Sequence, residues 1–464
     1  MNLSGPPPHP AWLARLRAWP ASALRRLPVY TRIVLGLLLL IAAGTGLLLL
    51  PGIAVAPLAP ADALFTAVSA LTVTGLGVLP TSTAFTRAGH ALLLCLIQIG
   101  GVGYMFMAAL VLRLIGRRVS LLDRIALSSS LGLDRPTAVS ALLRRTLAGI
   151  LLIEGAGALL LAAHWRASGI VPDADVWFYA LFHAVSAFCH AGFDLFAGDP
   201  RYPNGIPGDD LSLLILGALI FAGSIGIPVL MELFARRRRL SLNARVTLGV
   251  AVALVLVGWG GLFLPETRPG GVLDGAPLDQ QLVHTLFQSI SARTAGFPGL
   301  KEFTRLAPPT QLLLVVLMFI GCAPASMGGG ITTGTFAVLG TAMWSYARGR
   351  PTPQIGGWTI RADTVRRAGA VLTVGLGLVI LSTWLLLLTH PFSLNTALFE
   401  VVSAYATCGL SLGITPELNL FGRFVIMLMM CWGRLGALTI VTAVAGRTPS
   451  APLVQYPETS ILIG

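Results

Sequence analysis

Charge is the first scarcity. Asp, Glu, Lys and Arg make up 11% of the 464 residues, against about 25% in a soluble domain. With 55% hydrophobic residues and a mean hydropathy of +0.81, the chain needs an apolar solvent. That excludes an ordinary soluble fold and predicts a protein that crosses a membrane several times. Lysine is scarcer still, Lys301 being the only one, so the net charge of +13 is carried by arginine. A basic balance of this kind fits positive-inside topology and calls for no nucleic acid.

Paired cysteines are also missing. The five lie at 95, 189, 322, 408 and 431, all in apolar stretches and none at metal-ligand spacing, so buried free thiols are expected. The spans contain no His-Glu-x-x-His, Gly-x-Ser-x-Gly or paired-Asp constellation, which argues against an intramembrane enzyme. Residues 1–29 are rich in Pro and Arg and lack a small-residue cleavage site after a short apolar core. No removable signal peptide is expected, and the first span serves as the membrane address.

What the chain does have is one phrase written four times. Ser69-Ala-Leu-Thr-Val-Thr-Gly-Leu76 returns as Ser186-Ala-Phe-Cys-His-Ala-Gly-Phe193, as Ser291-Ala-Arg-Thr-Ala-Gly-Phe297 and as Ser403-Ala-Tyr-Ala-Thr-Cys-Gly-Leu410. A Phe stands four residues before each Ser: Phe65, Phe182, Phe287 and Phe399. Gly75, Gly192, Gly296 and Gly409 close the phrases at intervals of 104 to 117 residues.

Each phrase sits in the same hydropathy pattern. A span needs roughly 20 apolar residues. The pattern runs long, short, long: 33–50, 61–71 and 88–115; then 138–163, 176–188 and 211–234; then 246–264, 282–292 and 312–346; then 368–388, 394–404 and 424–445. The predicted fold is an all-α polytopic membrane protein, with four span–pore helix–span repeats around a central pore in a pseudo-fourfold arrangement. The boundaries fall at 1–29 for a cytoplasmic N-terminal segment, 30–118, 119–242, 243–352 with a broken second span, and 353–464 with a short cytoplasmic C-terminus. Irregular backbone within a bilayer must be buried in protein or line water, so the four phrases should face each other around a polar path.

Arginine clusters follow the second spans, at 113, 117, 118 and 124, at 236–239 and 245, and at 348, 350, 361, 366 and 367. They mark the cytoplasmic side and put both termini there. The loops near the phrases carry Asp62, Asp173, Asp175, Asp194, Asp199, Asp209, Asp210, Asp274 and Asp279. An acidic outer mouth that concentrates cations is one reading; outer loops that are simply less basic is the other.

A cation entering a membrane exchanges its hydration shell for oxygens, and backbone carbonyls supply these without adding charge. The candidate filter is Thr72, Val73, Thr74 and Gly75; Cys189, His190, Ala191 and Gly192; Thr294, Ala295 and Gly296; and Ala406, Thr407, Cys408 and Gly409. Glycine permits the backbone turn, and each preceding helix points its negative dipole end at the ion. A second repeat aligns Gly100-Gly101-Val102-Gly103, Gly223-Ser224-Ile225-Gly226, Gly321-Cys322-Ala323-Pro324 and Gly433-Arg434-Leu435-Gly436. In the first two copies it reads as close helix packing. The third lies in a run, 308–346, that would be about 58 Å long as one helix at ~1.5 Å per residue. Pro324 and Gly328-Gly329-Gly330 break it, which predicts a loop at membrane depth. Arg434 sits deep in the last span, where a charge costs at least about 2.5–3.5 kcal/mol. It should therefore bind the oxygens of that loop. The candidate gate is Arg434 with Ser326, Gly328, Gly329, Gly330, Thr332 and Thr333. Pairing of Arg434 to Glu154 or Glu232 for folding alone is the other possibility.

The four Gly phrases, Gly328 to Thr333, Arg434 and above all Ser403 to Thr415 resemble the Trk/Ktr/HKT superfamily of potassium transporters. The ending from Tyr456 to Gly464 is similar to the membrane subunit of the Ktr branch. The resemblance implies a potassium-translocating subunit in the cell membrane, a homodimer with one pore per protomer, gated by a cytosolic ring of nucleotide-binding subunits. It implies potassium bound in the filter, sodium as an activator, and no covalent cofactor. Gly75, Gly192, Gly296 and Gly409 match the family's selectivity glycines. Thr332 stands where many relatives carry a basic residue, and His190 where Asn is common; a protonated His190 would repel a cation, so at most a weak block at low pH is expected. A secondary cation transporter, whose broken helices also bind ions at mid-membrane, and a sodium-permeable relative are the competing transport readings.

Overall fold

The computed structural model describes residues 29–103, 139–202, 205–234 and 240–436. The N-terminal segment, the arginines at 113, 117, 118, 124 and 236–239, the far half of the span expected at 88–115, and the ending at 456–464 lie outside the described residues.

Four units follow one another. The first is α1 (Val29–Leu48), α2 (Pro60–Thr72) and α3 (Arg87–Val102). The second is α4 (Val139–Ser168), α5 (Val176–Phe188), α6 (Asp210–Ser224) and α7 (Ile227–Phe234). The third is α8 (Leu242–Glu266), α9 (Leu278–Ser291), α10 (Pro308–Phe319) and α11 (Thr333–Ala347). The fourth is α12 (Ala362–Thr389), α13 (Leu394–Ala406) and α14 (Leu420–Leu435). The expectation of an all-helical membrane fold holds; a two-stranded hairpin, Gln354–Ile355 against Trp358–Thr359, is a small addition.

In each unit the leading helix contains a stretch long and apolar enough to cross a membrane: Thr31–Leu48, Thr146–Ser168, Leu242–Glu266 and Ala362–Thr389. The second helix has only 13 or 14 residues. At ~1.5 Å per residue that is about 20 Å, short of a hydrocarbon core of about 30 Å. Its ring-facing half is nonetheless enclosed, with the four repeated phenylalanines all 2% exposed or less. Burial among protein rather than lipid is what allows such a helix to stop half-way across.

The circle closes by neighbours. The helix after each short helix packs against the short helix of the next unit: α3 on α5, α6 on α9, α10 on α13, and α14 back on α2. At the last junction Arg423 pairs with Asp62 at 2.5 Å.

One element differs in shape from a simple span. The stretch 211–234 is not one continuous helix: α6 and α7 meet at 103°. The second repeat, read as a packing motif in its first two copies, is where the described helix of each second span ends. α3 ends before Gly103 (φ +93°), α6 before Ile225 and Gly226 (φ +86°), α10 at Phe319, and α14 before Gly436 (φ +80°).

A ring of four glycines over a plugged layer

The four phrases form a closed ring. Gly75, Gly192, Gly296 and Gly409 have φ of +86°, +65°, +77° and +94°, a region open to glycine at little cost. A Cβ built on Gly75 would lie 3.0 Å from the Cα of Gly192. One on Gly192 would lie 3.2 Å from Gly296, one on Gly296 3.1 Å from Gly409, and one on Gly409 3.2 Å from Gly75. Each would also strike the carbonyl just before the neighbouring glycine: Ala191, Ala295, Cys408 and Thr74 in turn. No side chain larger than hydrogen fits at any of the four.

Two residues before each glycine the backbone is left-handed again, at Val73 (φ +53°), His190 (+62°), Thr294 (+74°) and Thr407 (+49°). A non-glycine residue held there costs on the order of 1–3 kcal/mol. Four of them at one repeat position show that the ring imposes this conformation. The serine that opens each phrase braces it from behind. Ser69 and Ser403 Oγ accept from the amides of Gly75 and Gly409 at 3.0 Å. Ser186 and Ser291 Oγ instead donate to the carbonyls of Phe193 and Phe297, at 2.9 and 2.6 Å. Thr72, Val73, Thr74, Cys189, His190, Ala191, Thr294, Ala295, Ala406, Thr407 and Cys408 are all fully buried.

The layer beneath the ring does not repeat so faithfully. In units one, two and four, the first glycine of the second-span motif packs on the end of its own short helix. A Cβ on Gly100, Gly223 or Gly433 would strike the carbonyl of Leu71, Phe188 or Tyr405, residues that each stand four before the ring glycine. In unit three the partner of Gly321 is Gly329 of its own loop. That loop, from Ile320 to Thr332, passes directly under the ring. A Cβ on Gly328 would meet Thr294 Oγ1, and one on Gly329 would meet Thr407 Oγ1 at 2.6 Å.

The loop borrows its backbone partners from unit two. Ala323 and Met327 amides donate to Ser224 and Gly223 carbonyls at 3.0 and 3.3 Å, and the Ile227 amide donates to Ala325 at 3.0 Å. The bend between α6 and α7 and the break between α10 and α11 therefore satisfy each other's polar groups, as a low-dielectric medium requires. Arg434 completes the layer. It donates to the Met327 carbonyl in the loop and to the carbonyls of Gly100 and Gly101, the latter at 2.9 Å. A cation at those last carbonyls of α3 is a favourable helix cap. Glu154 accepts from Gln98 at 3.2 Å and from Cys189 Sγ at 3.5 Å, and Glu232 accepts from the Ser241 amide at 2.9 Å.

Residues 30–456 match the family model described as TrkH, cation transport protein. The chain belongs to the TrkH cation transport family. It is 35% identical to the Ktr system potassium uptake protein B of Vibrio alginolyticus, covering 90% of this chain and 91% of that one. It is 34% identical to the potassium/sodium uptake protein NtpJ of Enterococcus hirae, covering 87% and 89%. The crystal structure of the potassium transporter TrkH from Vibrio parahaemolyticus, 20% identical, shares the fold with a TM-score of 0.69 over 89% of this chain and 83% of that chain.

The structure gives several candidate residues of this TrkH-family chain specific local partners. Thr332, at the end of the candidate gate loop, caps α11 by accepting from the Thr335 amide at 3.3 Å. His190 is directed sideways: Nε2 meets the Ile220 carbonyl at 2.8 Å and Nδ1 meets Thr294 Oγ1 at 3.0 Å, tying units two and three. Ser326 and Thr333 lend no hydroxyl bond to the loop; among the described residues their oxygens, with that of Thr407, are buried without a hydrogen-bond partner. Four of the nine outer acids are paired with arginine. Asp62, Asp173, Asp175 and Asp199 pair with Arg423, Arg166, Arg87 and Arg201, and the Arg201 guanidinium holds the Asp199 carboxyl below the usual carboxylate range.

Sequence reasoning missed Arg293. It is 2% exposed behind the third phrase and donates to the carbonyls of Ala251 and Gly321, at 3.3 and 3.1 Å. The signal was available, since Arg293 is the one charged residue in the four phrases. Beside it Cys322 Sγ lies 3.1 Å from the Arg293 carbonyl and 3.2 Å from Thr294 Oγ1, tying ring to loop.

Proposed function

We propose that this protein is the membrane subunit of a potassium-uptake system and that the glycine ring is its selectivity filter. The closed ring carries the reading. Four quasi-equivalent segments bring their glycines, and the carbonyls just before them, against one another in a ring, and a short helix ends behind each, its negative end toward the ring. The filter is formed by residues 72–75, 189–192, 294–296 and 406–409. Buried hydroxyls without a partner among the described residues, at Thr407, Ser326 and Thr333, are suited to an ion or its water. The gate is the loop of Ser326, Gly328, Gly329, Gly330, Thr332 and Thr333, held under the filter by Arg434. A positive barrier there stops ions until the loop moves. The four repeats run 30–118, 119–242, 243–352 and 353–464, with 1–29 and the C-terminus cytoplasmic. The relatives' names support a Ktr-like assembly in the cell membrane. It comprises a homodimer in lipid that binds a cytosolic nucleotide-binding regulatory ring and responds to sodium.

Rubidium uptake into liposomes, with sodium as competitor, tests this. Uptake that a large sodium excess leaves intact is expected. Equal sodium flux would favour a sodium-permeable relative. Flux that requires a second coupled ion would favour a secondary transporter. No cation flux, with or without the regulatory subunit, would sink the assignment.

A further inference from the structure

The repeated phenylalanine of each short helix is followed by a polar residue: Thr66, His183, Gln288 and Glu400. All four are buried, at 5%, 0%, 0% and 0% exposure. A buried polar group at one position of every repeat needs a partner, and in three units that partner is the chain leaving the ring. His183 Nε2 meets Asp194 Oδ1 at 3.0 Å and the Leu195 amide at 3.3 Å. Gln288 Oε1 accepts from the Gly299 amide at 2.8 Å. Glu400 accepts from Ser411 Oγ at 2.7 Å and from Thr415 Oγ1. Asp194 and Ser411 stand two residues past their ring glycine and Gly299 three, so the contact recurs although its chemistry changes from imidazole to amide to carboxylate. Unit one differs. Thr66 Oγ1 donates to the Asp62 carbonyl of its own helix at 2.8 Å. Its exit segment leans instead on unit two, through Ser82 Oγ to the Ala197 carbonyl at 2.7 Å.

We propose that His183, Gln288 and Glu400 are specificity-determining positioning residues that clamp the outer end of the ring in three of its four walls. This inference rests on the ring being the potassium filter. A ring that rejects a smaller cation must resist contracting around it, and a strand held only by its own backbone would yield. The serines brace the ring at the glycine; the clamps brace it one step further out, where each strand turns away. Glu400 bonds two hydroxyls, and its removal takes the charged acceptor from both and leaves Thr415 Oγ1 only its 3.1 Å contact with Ser411 Oγ, so it is the clamp whose loss shifts the wall furthest. The exit in unit one, with no such clamp among the described residues, is the wall free to adjust.

Purified Glu400→Ala, Gln288→Ala and Thr66→Val proteins in liposomes provide the test, with rubidium uptake measured against rising sodium. The wild type run in parallel reports on the potassium reading alone, because its failure to transport would sink that reading whatever the variants do. Glu400→Ala is expected to keep uptake without sodium and to need at least about tenfold less sodium for half-block. Gln288→Ala should shift in the same direction by less, Thr66→Val should match the wild type, and Glu400→Gln should recover most of the loss. Ser411→Ala with Thr415→Val removes the same clamp from its other side and should reproduce Glu400→Ala, adding nothing when combined with it. Should Glu400→Ala carry no ions, the thermal stabilisation by potassium relative to sodium is read in detergent, where the difference should vanish. Wild-type discrimination in both Glu400→Ala and the Ser411/Thr415 pair, by flux or by melting, would overturn the proposal.

Discussion

The glycine ring and the layer beneath it are built from the same four repeats, yet one keeps fourfold order and the other abandons it. In the ring every glycine meets the next unit's glycine at 3.0 to 3.2 Å from its built Cβ, and every wall takes the same left-handed turn two residues earlier. In the layer below, three units pack a glycine on the short helix, while the third sends a loop across and the fourth supplies Arg434. A site that must surround a sphere profits from equal walls. A site that must open and shut needs one wall able to move and one able to hold it. On the proposed reading, the likeness of the four units serves the first, and the divergence of two of them serves the second.

The comparison can be broken by mutation, most forcefully in the ring. Gly409→Ala places a methyl on the Thr74 carbonyl at a φ of +94°. Strain of on the order of 1–3 kcal/mol is expected before any collision is counted, and rubidium uptake should fall at least about tenfold. Uptake at the wild-type rate would show that the ring is not the conduction path. Arg434→Ala should do the opposite and raise uptake several-fold, by releasing the loop; unchanged flux and gating would remove Arg434 from the gate. Gly433→Ala and Gly321→Ala are one chemical change on two different partners. At Gly433 the methyl meets the anchored Tyr405 carbonyl, so overpacking should destabilise by about 1–3 kcal/mol. At Gly321 it meets the loop, which should shift and alter flux more than melting temperature. Equal effects at the two sites would erase the distinction drawn here. The mildest test is Thr332→Ala, which deletes the α11 cap for about 1 kcal/mol and should be rescued by Thr332→Ser.

The ring was legible in the sequence because its cause is local and repeated. A Phe, a Ser and a Gly at constant spacing between two apolar runs specify a short helix and a turn four times over. The bend at Ile225–Gly226 was not legible. Gly223-Ser-Ile-Gly226 has no proline and reads as ordinary helix packing; what opens it is the supply of partners from Ala323, Ala325 and Met327, about 100 residues later in the chain. Arg434 was legible as a charge that needed oxygens, but not the identity of its partners at Gly100 and Gly101, since nothing in the last repeat encodes the position of the first. The clamps at His183, Gln288 and Glu400 stood in plain view as polar residues beside each repeated Phe. Their meaning depends on where each exit strand passes, which is a property of the folded ring.

The junction between the last unit and the first has a consequence for manufacture. Arg423 bonds Asp62, and Arg434 bonds Gly100 and Gly101, so two contacts that close the circle join residues more than 300 positions apart. Synthesis runs from the N-terminus, and the ribosome delivers α14 after every other helix described. Until it arrives, α2 lacks a neighbour on one side and the circle stays open. A half-made chain is thus a membrane protein with its seam unsewn, and a premature stop anywhere before α14 leaves the circle open beside α2.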